Sequence, residues 1–197
     1  MGFWSWRAEG GEVMKPLETL RNEHGLIRQF LDNLTLAVEK LQNEEPPPRE
    51  FFDLAVEFAR EFADRFHHFK EEHVMFVRLA QKKSGAIDGQ IEALRHQHER
   101  GRNCVAAIAD ALDGYAAGKP AQVSQVLENV AAYAALLRNH IHKEDHIFYP
   151  MAQEVLSAEE ESQLEAEFAK AREKVGEDTF ERCHKLVVDM GSMLTHL

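Results

Sequence analysis

The stretch Phe62-Ala63-Asp64-Arg65-Phe66-His67-His68-Phe69-Lys70-Glu71-Glu72 places a histidine and a glutamate four residues apart, and then repeats that pair one residue later. The spacing returns in the last third of the chain in His140-Ile141-His142-Lys143-Glu144-Asp145-His146-Ile147-Phe148-Tyr149-Pro150. Residues four apart on an α-helix share a face, one turn from each other. Each stretch is followed by an apolar run, so both read as the ends of long helices.

Working outward, apolar residues recur at intervals of three and four, and strand signals are sparse. The first helix is expected over 15–43, ended by Glu44-Glu45-Pro46-Pro47-Pro48 because proline cannot continue a helix. The second is expected over 49–83, the third over 90–117 and the fourth over 121–156, with Pro150 marking a kink or an early end. Ser157-Ala158-Glu159-Glu160 has the form of a capping box and opens a further helix to Val175, broken by Gly176. A last helix is expected over 178–196. Four long helices with short connections predict an all-α, up-down-up-down four-helix bundle with additional C-terminal helices. The expected organisation is an N-terminal segment 1–14, a bundle 15–156 and a helical extension 157–197 packed on it.

At about 100° per residue, the polar candidates can be placed on each helix. His24 falls within the stripe Leu17, Leu20, Ile27, Leu31, Leu34 of the first helix, and His98 within Ile91, Leu94, Val105, Leu112 of the third. His140 and Glu144 lie on the stripe Val123, Val126, Val130, Leu137, Phe148, whereas His96, His142 and His146 point away. Burying an unpaired imidazole or carboxylate costs roughly several kcal/mol, and a Glu is almost never fully buried without a partner. Inward His and Glu on several helices therefore point to a metal held in the bundle interior.

The second helix is ambiguous. Phe51, Phe58, Phe62, Phe66, Phe69 and Phe76 form a broad stripe that includes His73, and this stripe is a candidate face for the C-terminal helices. His67 and Glu71 lie beyond its edge, beside a smaller apolar strip of Val56, Ala63 and Val74, while His68 and Glu72 fall among Glu57, Glu61 and Asp64 on a face that reads as solvated. The wheel favours His67/Glu71 over His68/Glu72 without excluding the second pair, because a π-bulge would rotate the register. His73 is a candidate second-layer hydrogen-bonding group, and His184 reads as a packed core or interface histidine.

The donor types limit the ion. Imidazole and carboxylate without thiolate suit iron, and also manganese or zinc. Six donors are too many for one closed tetrahedral zinc, and a carboxylate has two oxygens with which to bridge two ions.

These same residues resemble the hemerythrin-like (HHE cation-binding) family. His67-His68-Phe69-Lys70-Glu71-Glu72 resembles its HH-x-K-E-E signature, and Asn22-Glu23-His24, His98-Glu99-Arg100-Gly101-Arg102 and the His140–Pro150 stretch follow its order. The resemblance spans roughly 16–156. It implies an oxo- or hydroxo-bridged di-iron centre, carboxylate-bridged, with His24, His67, Glu71, His98, His140 and Glu144 as ligands and O2 or NO as the small ligand. The implied role is sensing, buffering or iron handling. The alternative is a di-iron redox enzyme of peroxidase, catalase or NO-reducing type. Oxygen-carrying hemerythrins have H-x-x-x-H in the third helix, but Leu94 and Arg102 flank His98 here, which implies open coordination positions. The N-terminal cysteine pair of the iron–sulfur repair relatives is absent.

A net charge of -11 argues against nucleic acid and anionic membrane surfaces as partners. No run of apolar residues is long enough for a membrane span, and residues 1–14 do not read as a secretory signal. Two distant cysteines, Cys104 and Cys183, argue against a disulfide framework, and a cytoplasmic setting is expected. Trp4, Trp6 and the last helix leave room for a homodimer.

Overall fold

In the computed structural model, which describes residues 15–82, 85 and 87–195, six helices account for most of the described residues and no strand occurs among them. Trp4 and Trp6 lie outside the described residues. Helix α1 is Pro16–Gln42, with Pro16 in its first turn where a missing N–H is not needed. Helix α2 runs over 49–80, α3 is Asp88–Ala116 and α4 runs over 120–155. Helices α5, Ala158–Val175, and α6, Thr179–Thr195, follow.

Each of the first four helices packs on its chain neighbours, and α4 returns to α1, closing the bundle. The proline loop after α1 is fastened by Tyr115, whose hydroxyl donates to the Pro47 carbonyl at 2.5 Å. Helix α5 starts with a complete capping box. The Glu160 N–H donates to Ser157 Oγ and the Ser157 N–H to Glu160 Oε2. Both C-terminal helices lie over the face formed by α1 and α2. Phe180 of α6 meets Phe62 edge-on, so part of the phenylalanine stripe does face the extension.

The core is in two pieces. A large apolar cluster around Phe30, Leu31, Phe52, Phe58, Phe62 and Tyr133 fills the end of the bundle nearer the proline loop. A smaller one around Leu20, Phe76, Leu94, Phe148 and Phe168 fills the other end. Along α1 and α3 the polar residues His24 and His98 fall between the two clusters, and along α2 and α4 so do His67, Glu71, His140 and Glu144.

Two helices are locally widened at that level. In α2, residues Ala59–His68 and Glu71–Met75 are π-helical, and in α4 so are Glu144–Phe148. The Phe69 N–H donates to the Asp64 carbonyl, the Phe76 N–H to that of Glu71 and the Tyr149 N–H to that of Glu144. Each is an i→i+5 bond. A wider turn carries more residues, so side chains that a regular helix would send outward are turned in. Pro150 directly follows one wide turn, where the regular ladder is already interrupted. The helix therefore continues through it to Val155 rather than ending early.

The widened register corrects two expectations for α2. His68, assigned to the solvated face, is only 5% exposed. His73 and Phe69, assigned to the apolar stripe, are exposed instead, and His73 rests against the Phe69 ring. His73 therefore takes no part in the interior network.

Candidate metal centre

The polar layer contains two overlapping groups of donor atoms, each with its members within 4.8 Å of one another. One group is His24, His67, Glu71 and Glu144, and the other is His68, Glu71, His98 and His140, all buried. The six residues singled out in the sequence are thus brought together, and His68 joins them. Of the two pairs left open on α2, three members enter the groups and Glu72 does not.

The two carboxylates lie between the groups. Glu71 Oε2 is 3.6 Å from His67 Nε2 and 3.5 Å from His98 Nε2. Glu144 Oε2 is 3.3 Å from His24 Nε2 and 3.2 Å from His140 Nε2. Every one of these imidazoles presents Nε2 to the interior, and the reason is found on the other side of the rings.

Each Nδ1 is held by the neighbour of a donor on a different helix. His24 Nδ1 meets Asp145 at 2.9 Å, His67 Nδ1 meets Glu23 at 2.9 Å, His98 Nδ1 meets Glu72 at 2.6 Å and His140 Nδ1 meets Gln97 Oε1 at 3.0 Å. The braces form a closed circuit: α1 holds α2, α2 holds α3, α3 holds α4 and α4 holds α1. Each comes from a consecutive doublet, Glu23-His24, Glu71-Glu72, Gln97-His98 or Glu144-Asp145, in which one residue faces the interior and the other reaches across. Such outer contacts fix the tautomer, orient the ring and raise its basicity. The three carboxylate braces are themselves held by cations: Lys70 on Glu23, Arg102 on Glu72 at 2.6 Å, and Arg28 on Asp145. Lys70 is completely buried, with its ammonium 3.8 Å from the centre of the Phe66 ring. Burial pushes Glu23 up and Lys70 down, each opposed by the other's charge.

Protonation follows from burial. Loss of solvent holds His67, His98 and His140 far below the usual imidazole range, so they are neutral. It lowers His24 too, against the pull of Asp145. A ring that donates its Nδ1 proton to its brace has a bare lone pair on Nε2. Nε2 of His98 and Nε2 of His140 lie within hydrogen-bond distance of each other, 2.9 Å apart. Burial raises Glu71 to about 8 and Glu144 well above the carboxylate range. His67 Nε2, both nitrogens of His68, Glu71 Oε2 and both oxygens of Glu144 have no hydrogen-bond partner. Buried polar atoms without partners are rare and costly. Converging lone pairs and carboxyl oxygens are what a cation would satisfy, so the donor set fits a metal.

Tyr149 completes the layer. It is fully buried, its hydroxyl donates to Glu71 Oε1 at 2.6 Å, and its ring lies parallel to His24 with centroids 5.5 Å apart. Reading the sequence alone left His68 and Glu72 as the alternative to His67 and Glu71, and did not identify Tyr149 or the role of the four braces. The doublets were the available signal, because a polar residue beside an inward donor lies next to the same interior.

The remaining candidates are separate from the layer. His142 and His146 are exposed, His184 is partly buried on α6, and both cysteines are free, with burial raising their thiols. No helix among the described residues is long and apolar enough to cross a membrane.

Residues 15–152 match the family described as the hemerythrin HHE cation binding domain. Similar curated proteins come from two strains of Mycobacterium tuberculosis and from Mycobacterium bovis, each named as an uncharacterized protein. Each is 26% identical over 178 residues, covering 90% of this chain and 69% of its own length. No solved structure matches at a significant level.

Proposed function

The chain belongs to the hemerythrin HHE cation-binding domain family, and on that premise we propose that its polar layer holds two iron ions and takes up O2 or NO. His24 and His67 would serve one ion, His68, His98 and His140 the other, and Glu71 and Glu144 both. The observation that carries this reading is the position of the two glutamates, each with Oε2 between an imidazole nitrogen of one group and one of the other. Seven donors without a thiolate suit iron and exceed what a tetrahedral zinc uses. His68 supplies a fifth imidazole from α2, where oxygen-carrying hemerythrins place one on the third helix.

Bound iron would supply the redox and small-ligand chemistry. The chain supplies the rest. The circuit of braces keeps Nε2 directed inward before any ion arrives, the apolar clusters at both ends exclude water, and Tyr149 gives Glu71 a hydrogen bond at the oxygen that faces away from His98. A second reading, turnover of peroxide or NO, is favoured by that same hydroxyl. Burial keeps its proton in place, and its contact with Glu71 makes it a proton source beside the layer.

The test is metal content per chain, with ultraviolet–visible spectra taken before and after dithionite and then NO. About two irons per chain, with charge-transfer absorption that bleaches on reduction and gives way to a nitrosyl band, is the expected result. Zinc, or a folded chain that binds no metal, would overturn the proposal. Peroxide or NO consumption beyond that of free iron, lost in Tyr149→Phe, would select the second reading.

A further inference from the structure

Among the described residues, five histidines lie outside the polar layer, and they are not alike. His73 rests against Phe69, while His96 on α3 and His184 on α6 have no second histidine beside them. His142 and His146 form a pair. They occupy successive turns of α4, both are exposed, and their ring centres are 4.5 Å apart.

We propose that His142 and His146 form a surface site for one divalent transition-metal ion that favours imidazole, namely copper, nickel or zinc. The site is separate from the polar layer and does not depend on what the layer holds.

Spacing is the first reason. Four residues at about 100° each overshoot a full helical turn by roughly 40°. Here the second half of that interval lies in the widened turn Glu144–Phe148. A wider turn carries more residues, so each advances less around the axis and the overshoot shrinks. The two imidazoles are thereby brought nearer to alignment along the helix. An ion about 2.0–2.1 Å from each nitrogen requires two nitrogens within about 4 Å of each other. Rings this close reach that separation by side-chain rotation alone.

Availability is the second. The ring contact that each histidine makes is with the other, and no hydrogen bond or ion pair to a described residue occupies their nitrogens. Two exposed protein donors leave the other coordination positions of the ion to water, so it enters and leaves without opening the bundle. Without a carboxylate, the pair selects against magnesium and calcium.

The third is charge. The cations on the adjoining turns are engaged elsewhere: Arg138 with Asp32 at 2.7 Å, Arg28 with Asp145, and Arg21 over the Tyr149 ring. Lys143 lines the cleft between α3 and α4 with Ile147. The chain as a whole carries a net charge of -11, which draws cations to its surface.

The experiment takes the untagged, iron-loaded chain over an immobilised Ni2+ column with an imidazole gradient. It then titrates the chain with Cu2+ in solution, read by electron paramagnetic resonance and iron analysis. The wild-type chain should be retained, and should take up one Cu2+ with two nitrogen ligands at unchanged iron content. His142→Gln and His146→Gln should elute early and bind Cu2+ about a hundredfold more weakly, because the second imidazole is a tethered donor at high effective concentration. His73→Gln and His96→Gln should behave as wild type. Wild-type retention and Cu2+ affinity in the His142 and His146 variants would overturn the inference, as would Cu2+ uptake that releases iron in equal amount. Either result leaves the reading of the layer standing. A chain that binds no iron, yet whose Ni2+ retention still depends on His142 and His146, would overturn the di-iron reading and uphold this site.

Discussion

The apolar cluster near the proline loop and the polar layer beside it are built on the same four helices, yet they follow opposite rules. In the cluster, Phe30 and Phe58 stack with centroids 4.3 Å apart, and their burial requires no hydrogen bond. In the layer, buried carboxyl oxygens and imidazole nitrogens face one another without partners. The cluster stabilises the fold by itself. The layer leaves several buried polar atoms unsatisfied, which costs stability, while the braces fix the orientation of its rings. Among the described residues the π-helical turns occur at the layer and in the part of α2 leading to it, not in the other segments that build the cluster.

The sharpest way to break the contrast is Glu144→Leu. It should abolish metal binding, while the metal-free chain becomes more stable than metal-free wild type, because a buried carboxyl without partners is replaced by apolar volume. Metal analysis and thermal melts of both metal-free chains decide it; a less stable variant would show that the layer is not the costly region. Phe58→Ala should do the reverse, lowering stability by about 3–5 kcal/mol through a cavity while folded chains keep their full metal content. Chemical denaturation of the loaded protein measures the first and metal analysis the second.

A smaller effect comes from pH. In the metal-free fold Glu71 keeps its proton up to about 8, against an ordinary value of 4.5 when unfolded, and Glu144 shifts the same way. Between those values the folded chain binds more protons than the unfolded one, so stability falls as pH rises through that window. The histidines act oppositely: neutral in the fold and protonated when unfolded, they remove stability as pH drops below about 6.5. Metal-free melting temperature should therefore peak between the two effects and decline toward pH 8. The loaded chain should hold its melting temperature over that range, because the ions bind the ionised carboxylates and neutral imidazoles. Equal pH profiles with and without metal would contradict this. The smallest change is expected for Glu72→Gln, which keeps an acceptor for His98 Nδ1 but removes its charge, while Arg102 retains Asp64. Metal affinity should fall by about 10–100-fold with the fold intact, as measured by competition with a chelator.

Much of the layer was legible in advance. His24, His98, His140 and Glu144 occupy positions that a regular helical period assigns to the interior, and the structure buries all four. The capping box at Ser157, the stop at Gly176 and the bundle order follow from local chemistry in the same way. The regular period failed on α2, where it sent His68 outward and His73 inward, because it assumes i→i+4 bonding that this segment does not keep.

The sequence by itself determined the helices, their order and most of the inward donors, because apolar spacing and proline or glycine breaks act within a few residues along the chain. Only the tertiary structure decided which helix each brace reaches and where the turns widen. Adjacent residues on a helix point about 100° apart, so the second member of each doublet finds its partner on a neighbouring helix whose position no local pattern specifies. The wide turns likewise answer a demand made from outside the segment, that His67, His68 and Glu71 all face one interior at once.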